Sequence, residues 1–220
     1  MIRTKLPTRR RRASRRIFLA LALLLLLNHI LLIGLLFPIQ AIRQNEERAG
    51  TGRTTVVLRD WAPEVHWGHL IYMTESENVT MLSGTYLTYL GWTNGFGVPV
   101  DCSEPALIYG GHWNMTSKDG QSLYYAFGRI DDPDISSLNV EAQYEDWTTG
   151  AGIRRTAFVW RSLREDWAEK DGRYYFLFQR YPMDWSMYPF SIELIAIGYD
   201  ADGNEIARTE LDQGASSHFG

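Results

Sequence analysis

The chain has 220 residues, 45% of them hydrophobic, a formal charge of −4 and a single cysteine, which leaves room for one ordinary domain beside a short N-terminal extension. Residues 1–16 hold eight Lys or Arg and no acid, so the other 204 residues carry 14 basic against 26 acidic groups, a formal −12. An acidic body lacks the positive footprint that phosphate binding needs, which excludes nucleic acid as the expected partner, and the lone Cys102 excludes an intramolecular disulfide.

The first element is the basic tail, residues 1–16, followed at once by "IFLALALLLLLNHILLIGLLF". From Ile17 to Phe37 there are 21 residues, 18 of them plainly apolar; a helix of that length spans about 31 Å, close to a hydrocarbon core of ~30 Å. The apolar part of a secretory signal is shorter and ends at small residues, whereas here a cleavage after Ala41 would put Ile39 at the −3 position. The expectation is an uncleaved single-pass transmembrane helix over 17–37, with the lipid bilayer as first partner. Arginines beside a span stay on the cytoplasmic side, so the N-terminus is expected inside the plasma membrane and the C-terminal domain outside. Asn28 and His29 stand mid-span, where polar groups seek hydrogen-bond partners on a neighbouring helix; both are candidates for helix association with another membrane protein.

Residues 38–53 ("PIQAIRQNEERAGTGR") are polar and glycine-punctuated and are expected to be a juxtamembrane linker. The folded part is expected over 54–220, and its main signal is period two. "SLNVEAQYED" alternates apolar and polar residues, as a strand with one wet face does. "RYYFLFQRY" and "FSIELIAIGYD" are apolar at both parities, the pattern of strands covered on both sides. Further strands are expected at "TTVVLRD", "HLIYMT", "TYLTYLGW", "PALIYGG", "SLYYAFGRI", "RRTAFVW" and "NEIARTEL", and one or two helical turns at "SLREDWAEKDG". Asp202-Gly203 supplies a tight turn between the last two strands. This "YDADGNEI" hairpin resembles the closing strands of immunoglobulin-like surface domains. Nine or ten short strands imply an antiparallel sandwich or a small barrel; the fold class expected is mainly β, an antiparallel immunoglobulin-like sandwich behind one transmembrane helix.

Chemical motifs are sparse. His66 and His69 are three apart, so on a strand they face opposite sides and cannot share an ion. In "DADGNE" Gly203 is misplaced for a calcium loop, and no P-loop, G-x-S-x-G or H-E-x-x-H occurs. No metal, cofactor or catalytic residue is expected, and an exported hydrolase is the least favoured reading. The unusual feature is aromatic: all eight tryptophans and all twelve tyrosines lie beyond residue 60. Trp92, Trp113 and Trp185 fall in expected loops and are the candidate ligand-binding residues, through stacking on a flat ligand or as a protein hot spot. The expected function is non-enzymatic binding of a protein or cell-envelope component, with a carbohydrate-binding module as the alternative. If Asn28 and His29 mediate helix association, Asn28→Leu combined with His29→Leu weakens self-association in a membrane reporter assay; an unchanged signal refutes that role.

Overall fold

The computed structural model describes residues 9–30, 35, 37–63, 65, 69–120, 122–146, 152–180 and 192–213. Helix α1, Arg9–Ile30, carries the arginines and the leucine run. Among the described residues no helix is long and apolar enough to cross a membrane; residues 31–34 and 36 of the expected span lie outside them.

The helix does not continue to Phe37 as expected. Leu35 is buried and exchanges two backbone hydrogen bonds with Trp92, 2.9 and 2.7 Å long, so it belongs to the folded domain. Pro38 accounts for the break: the residue before a proline is driven out of the helical region, and Phe37 sits at φ −130°, ψ 143°. Proline is equally suited to the first turn of a new helix. Helix α2, Pro38–Ala49, starts there and replaces the expected linker. Gln40 Oε1 accepts the Phe37 N–H at 3.0 Å, and Ala41, Ile42, Asn45 and Glu46 form the buried face of the helix.

The rest is β-structure in three sheets. The first is an antiparallel meander of β1 (Thr55–Ala62), β2 (His69–Glu75), β3 (Val79–Thr88) and β4 (Gly91–Asp101). The second, in the order β13-β5-β6-β10-β9, joins β5 (Ile108–Thr116), β6 (Ser122–Ile130), β9 (Ala168–Lys170), β10 (Arg173–Arg180) and the short β13 (Asp212–Gln213), which pairs in parallel with β5. The third, β12-β11-β7-β8, contains β7 (Ser137–Asp146), β8 (Ile153–Leu163), β11 (Glu193–Tyr199) and β12 (Glu205–Glu210). A mainly β, antiparallel fold is thus as the sequence implies, although three sheets stand where an immunoglobulin-like domain has two. The segment "SLREDWAEKDG" supplies a single 3-10 turn, Arg164–Asp166, and then β9. "TYLTYLGW" is not one strand: Tyr89 and Leu90 form a turn, so β3 and β4 pair across it as Leu87 with Trp92 and Thr88 with Gly91. Trp92 and Trp113 therefore stand on β4 and β5 rather than in loops, and Trp61 stands on β1.

Two apolar seams hold the sheets together. Ile71, Met73, Leu82, Phe96, Val98 and Val100 of the first sheet pack with Leu123, Tyr125, Phe127 and Tyr175 of the second. The opposite faces of the same two central strands, through Ala126, Ile130 and Phe176, pack with Leu138, Val140, Trp160, Leu194 and Ala196 of the third. Strands β6 and β10 are covered on both sides, which is why "SLYYAFGRI" and "RYYFLFQR" are apolar at both parities. Each fully buried large apolar side chain in such a seam contributes ~1.5–3 kcal/mol.

Helix α2 packs against β3 and β4 of the first sheet. Gly97 permits the approach, since a Cβ there would lie 3.1 Å from that of Asn45, and Asn45 Nδ2 donates to the Phe96 carbonyl at 2.8 Å. Gly128 on β6 is tighter still: a Cβ there would meet the Tyr109 carbonyl oxygen at 2.0 Å and the Phe176 ring at 2.7 Å. Gly128→Ala is expected to lower stability by about 3 kcal/mol through overpacking, whereas Gly120→Ala, in an open turn at φ 79°, costs only ~1–2 kcal/mol of left-handed strain. Urea unfolding of both variants checks the order; equal losses contradict it.

Candidate functional site

The polar residues that the fold gathers most closely lie between the first and second sheets. Glu75 ends β2, Arg129 is near the end of β6, Asp131 follows it, and Lys170 and Arg173 flank the β9–β10 turn. Lys170 Nζ is 2.6 Å from Glu75 Oε1, and Arg129 Nε is 2.8 Å from Asp131 Oδ1. Arg173 stands 3.8 Å from both carboxylates. The Arg129 guanidinium, side chain 2% exposed, also donates to the Glu77 carbonyl at 3.1 Å and lies 4.6 Å over the Tyr109 ring. Its Nη2 donates to Asp131 Oδ2 at 2.8 Å, and a buried guanidinium is tolerated when its charge is met in this way.

Tyr175 and Cys102 border the cluster. Burial, together with the neighbouring Glu75 charge, holds the Tyr175 phenol well above its ordinary range. Burial likewise raises the Cys102 thiol, which sits 3.6 Å from Thr80 Oγ1; a thiol kept protonated is a weak nucleophile. The three cations and two carboxylates pair with one another, and the bonds of Lys170 and Arg173 to Glu75 cross the sheet interface, so their evident chemistry is to lock the first sheet to the second. Sequence reading did not single out Glu75, Arg129, Lys170 or Arg173; the available signal was Arg129 interrupting an otherwise apolar strand.

A second polar knot ties α2 down. Glu46, almost fully buried, receives Arg43 at 2.5 and 2.6 Å as well as the Thr54 backbone N–H at 3.2 Å and the Thr54 hydroxyl. Two further carboxylates have structural tasks: Asp132 accepts the Asp134 N–H at 2.8 Å, and Asp166 accepts the Leu163 N–H at 3.0 Å. In the last hairpin Asp200 accepts the Asp202 and Asn204 N–H groups at 2.9 and 2.8 Å, with Gly203 at φ 84°, so "DADGNE" builds a turn between β11 and β12.

The expected site residues are placed as follows. Trp92 is half-buried on edge strand β4 with Leu35 bonded to its backbone. Trp113 is half-buried on β5 and stacks on Phe96 with ring centroids 5.5 Å apart and planes 20° apart. The two tryptophans thus stand on different sheets, and Trp185 lies outside the described residues. Asn28 and His29 fall within α1, but the placement of their side chains lies outside the described residues. His66 is also outside them, and among the described residues no group of three or more His, Cys, Asp or Glu could hold a metal ion. No protein-family model matches the chain, and neither the curated proteins nor the solved structures contain a match to it.

Two buried histidines set the pH response of the fold. His69 packs on Tyr86 with ring centroids 4.9 Å apart, and burial lowers its pKa from 6.5 to about 4. His112 is lowered to about 4 by burial, with the Asp212 charge opposing the shift. An unfolded histidine takes up its proton first as pH falls, so this contribution is intact above pH ~6.5 and is lost progressively toward pH ~4. The expected loss is on the order of 2 kcal/mol per histidine at pH 5. Urea midpoints at pH 7 and 5 measure it, and His69→Gln with His112→Gln should shrink the difference; an undiminished difference refutes the assignment.

Proposed function

We propose that the chain is a membrane-anchored, extracytoplasmic β-sandwich of the plasma membrane that binds a protein or an envelope component without catalysing a reaction. The sandwich is a layered variant of the immunoglobulin-like arrangement, with a middle sheet between two outer ones. The observation that carries the reading is the uncovered apolar surface of α1: Ile17, Phe18, Leu19, Leu21 and Leu23–Leu27 are all exposed, directly after a cluster of arginines. A leucine helix left in water forfeits ~25 cal/mol for every Å² it could bury, and a bilayer supplies that burial.

The end of the run is consistent with an anchor. From Ile17 to Gly34 there are 18 residues, a length that would span about 27 Å as a helix. The bonded pair Leu35–Trp92 then begins the external domain. The binding role is supported by how the domain distributes its chemistry. Its most tightly gathered ionisable groups are engaged in ion pairs with one another, two of them between sheets, while Trp61, Leu87, Tyr89, Leu107, Ile153 and Leu163 present apolar surface.

The carbohydrate-binding alternative rests on Trp92 and Trp113, whose rings are both half-buried; stacking on a sugar requires an open ring face. The test uses the full chain carrying Asp202→Cys, an exposed turn position, in a Cys102→Ser background. Intact cells should be labelled by a membrane-impermeant thiol reagent, the protein should stay with membranes after an alkaline carbonate wash, and photocrosslinking should yield a discrete partner. Labelling only after lysis, or release by carbonate, contradicts the anchor and its topology. Quenching of tryptophan fluorescence by envelope polysaccharide, lost in Trp92→Ala or Trp113→Ala, transfers the assignment to the carbohydrate module.

A further inference from the structure

We infer that the tip of the β3–β4 hairpin, together with Phe37, is a membrane-contacting edge that seats the external domain on the lipid headgroups beside its own anchor. The inference rests on the anchor reading above and extends it to the domain's orientation.

The first support is position. Leu35 follows the apolar run directly, and consecutive Cα atoms are ~3.8 Å apart. Its paired backbone bonds to Trp92 hold the start of β4 at the point where the run ends. The headgroup zone adds only about 5–7 Å to each side of the hydrocarbon core. The hairpin turn, two residues from Trp92, is thereby held at headgroup level.

The second support is composition. Tyr89 is 90% exposed, Phe37 61%, Leu87 50% and Leu90 39%, four aromatic or leucine side chains close to one backbone pair. From Val79 to Val100 there is no charged residue, although the sequence after residue 16 carries a formal −12. Such a body is repelled by anionic lipid, and an uncharged edge is the part of it that can approach the headgroups. Tyr and Trp at the boundary of the hydrocarbon are the side chains favoured at that depth.

The third support is the turn's own hydrogen bonding. Thr88 Oγ1 accepts the Leu90 N–H at 3.2 Å and donates to the Gly91 carbonyl at 2.9 Å. Two backbone groups at the tip are satisfied by one side chain, which lowers the cost of moving the tip away from bulk water. The β2–β3 turn at the other end of β3 is different: Glu77 and Asn78 are exposed there, and at ~3.3 Å per residue Asn78 lies about 36 Å from Tyr89.

The experiment reconstitutes the full chain in phosphatidylcholine vesicles containing a lipid with a shallow doxyl quencher. An environment-sensitive fluorophore is attached at Tyr89→Cys or at Asn78→Cys, each in a Cys102→Ser background, with circular dichroism confirming the fold of both. The expected result is quenching at position 89 at least threefold stronger than at position 78, with a blue-shifted emission at 89 only. Equal, weak quenching at both positions in protein that resists a carbonate wash overturns the hairpin contact and leaves the anchor standing. Loss of the protein from the vesicles on that wash overturns the anchor reading and the inference with it. A blue shift at position 89 without quenching assigns the edge to a second copy of the chain and overturns the lipid assignment.

Discussion

Everything in the domain depends on a middle sheet whose central strands are covered on both faces. Strands β6 and β10 pair from Tyr174 with Ile130 to Arg180 with Tyr124, and their side chains alternate between two seams. Leu123, Tyr125, Phe127 and Tyr175 enter one, and Ala126, Ile130 and Phe176 enter the other. A sheet apolar on both sides needs a cover on each, and the chain supplies them in order: the β1–β4 meander first, then β7, β8, β11 and β12 after the middle sheet has begun. Gly110 and Gly111 lie on β5 of the middle sheet, where a Cβ would meet Leu211 at 2.4 Å and Val100 at 2.7 Å, and Gly128 on β6 lets β5 and β10 lie close on either side of it.

Apolar seams are non-directional, so something else must fix how one layer sits on the next. The ion pairs that Lys170 and Arg173 make with Glu75, and the Arg129 bond to the Glu77 carbonyl, supply direction between the first two sheets. Arg164 has a similar part at the edge of the third sheet: its guanidinium bonds the carbonyls of Pro133 and Ile135 and lies 4.9 Å over Tyr174 of the middle sheet. Such contacts add modestly to stability when half-exposed and more to specifying one register of packing. The same economy operates at α2, where Glu46 collects Arg43 and Thr54 and turns a polar stretch into part of the fold.

Strands were legible where periodicity was complete. "SLNVEAQYED" and "SLYYAFGRI" coincide with β7 and β6, because alternation and uninterrupted apolarity are local properties of the residues. What escaped were features decided at a distance. Polar residues of "IQAIRQNEERA" gain their partners from β4 and Thr54, so composition alone suggested a linker. "TYLTYLGW" reads as one strand because its turn, Tyr89-Leu90, has none of the Gly, Asn or Asp that usually mark a hairpin. The third sheet was equally hidden, since period two says that a strand has a buried face and not which sheet buries it. Of the site residues, Trp92 and Trp113 were noticed for their rings and misplaced in loops, while the charges that join the sheets come together only through long-range pairing.

The layered arrangement also explains how a short N-terminal extension can be mechanically coupled to the domain. Leu35 adds to the edge of the first sheet through β4, α2 closes over that sheet, and the first sheet is fastened to the middle one by both seam and ion pairs. The central claim, that the doubly covered middle sheet organises the rest, is tested most directly by residue-resolved amide hydrogen exchange on the full-length protein. The account predicts that the amides of β6 and β10 are the slowest to exchange and do so together, at the rate of global unfolding. If the outer sheets keep their protection while β6 and β10 exchange freely, the claim is contradicted.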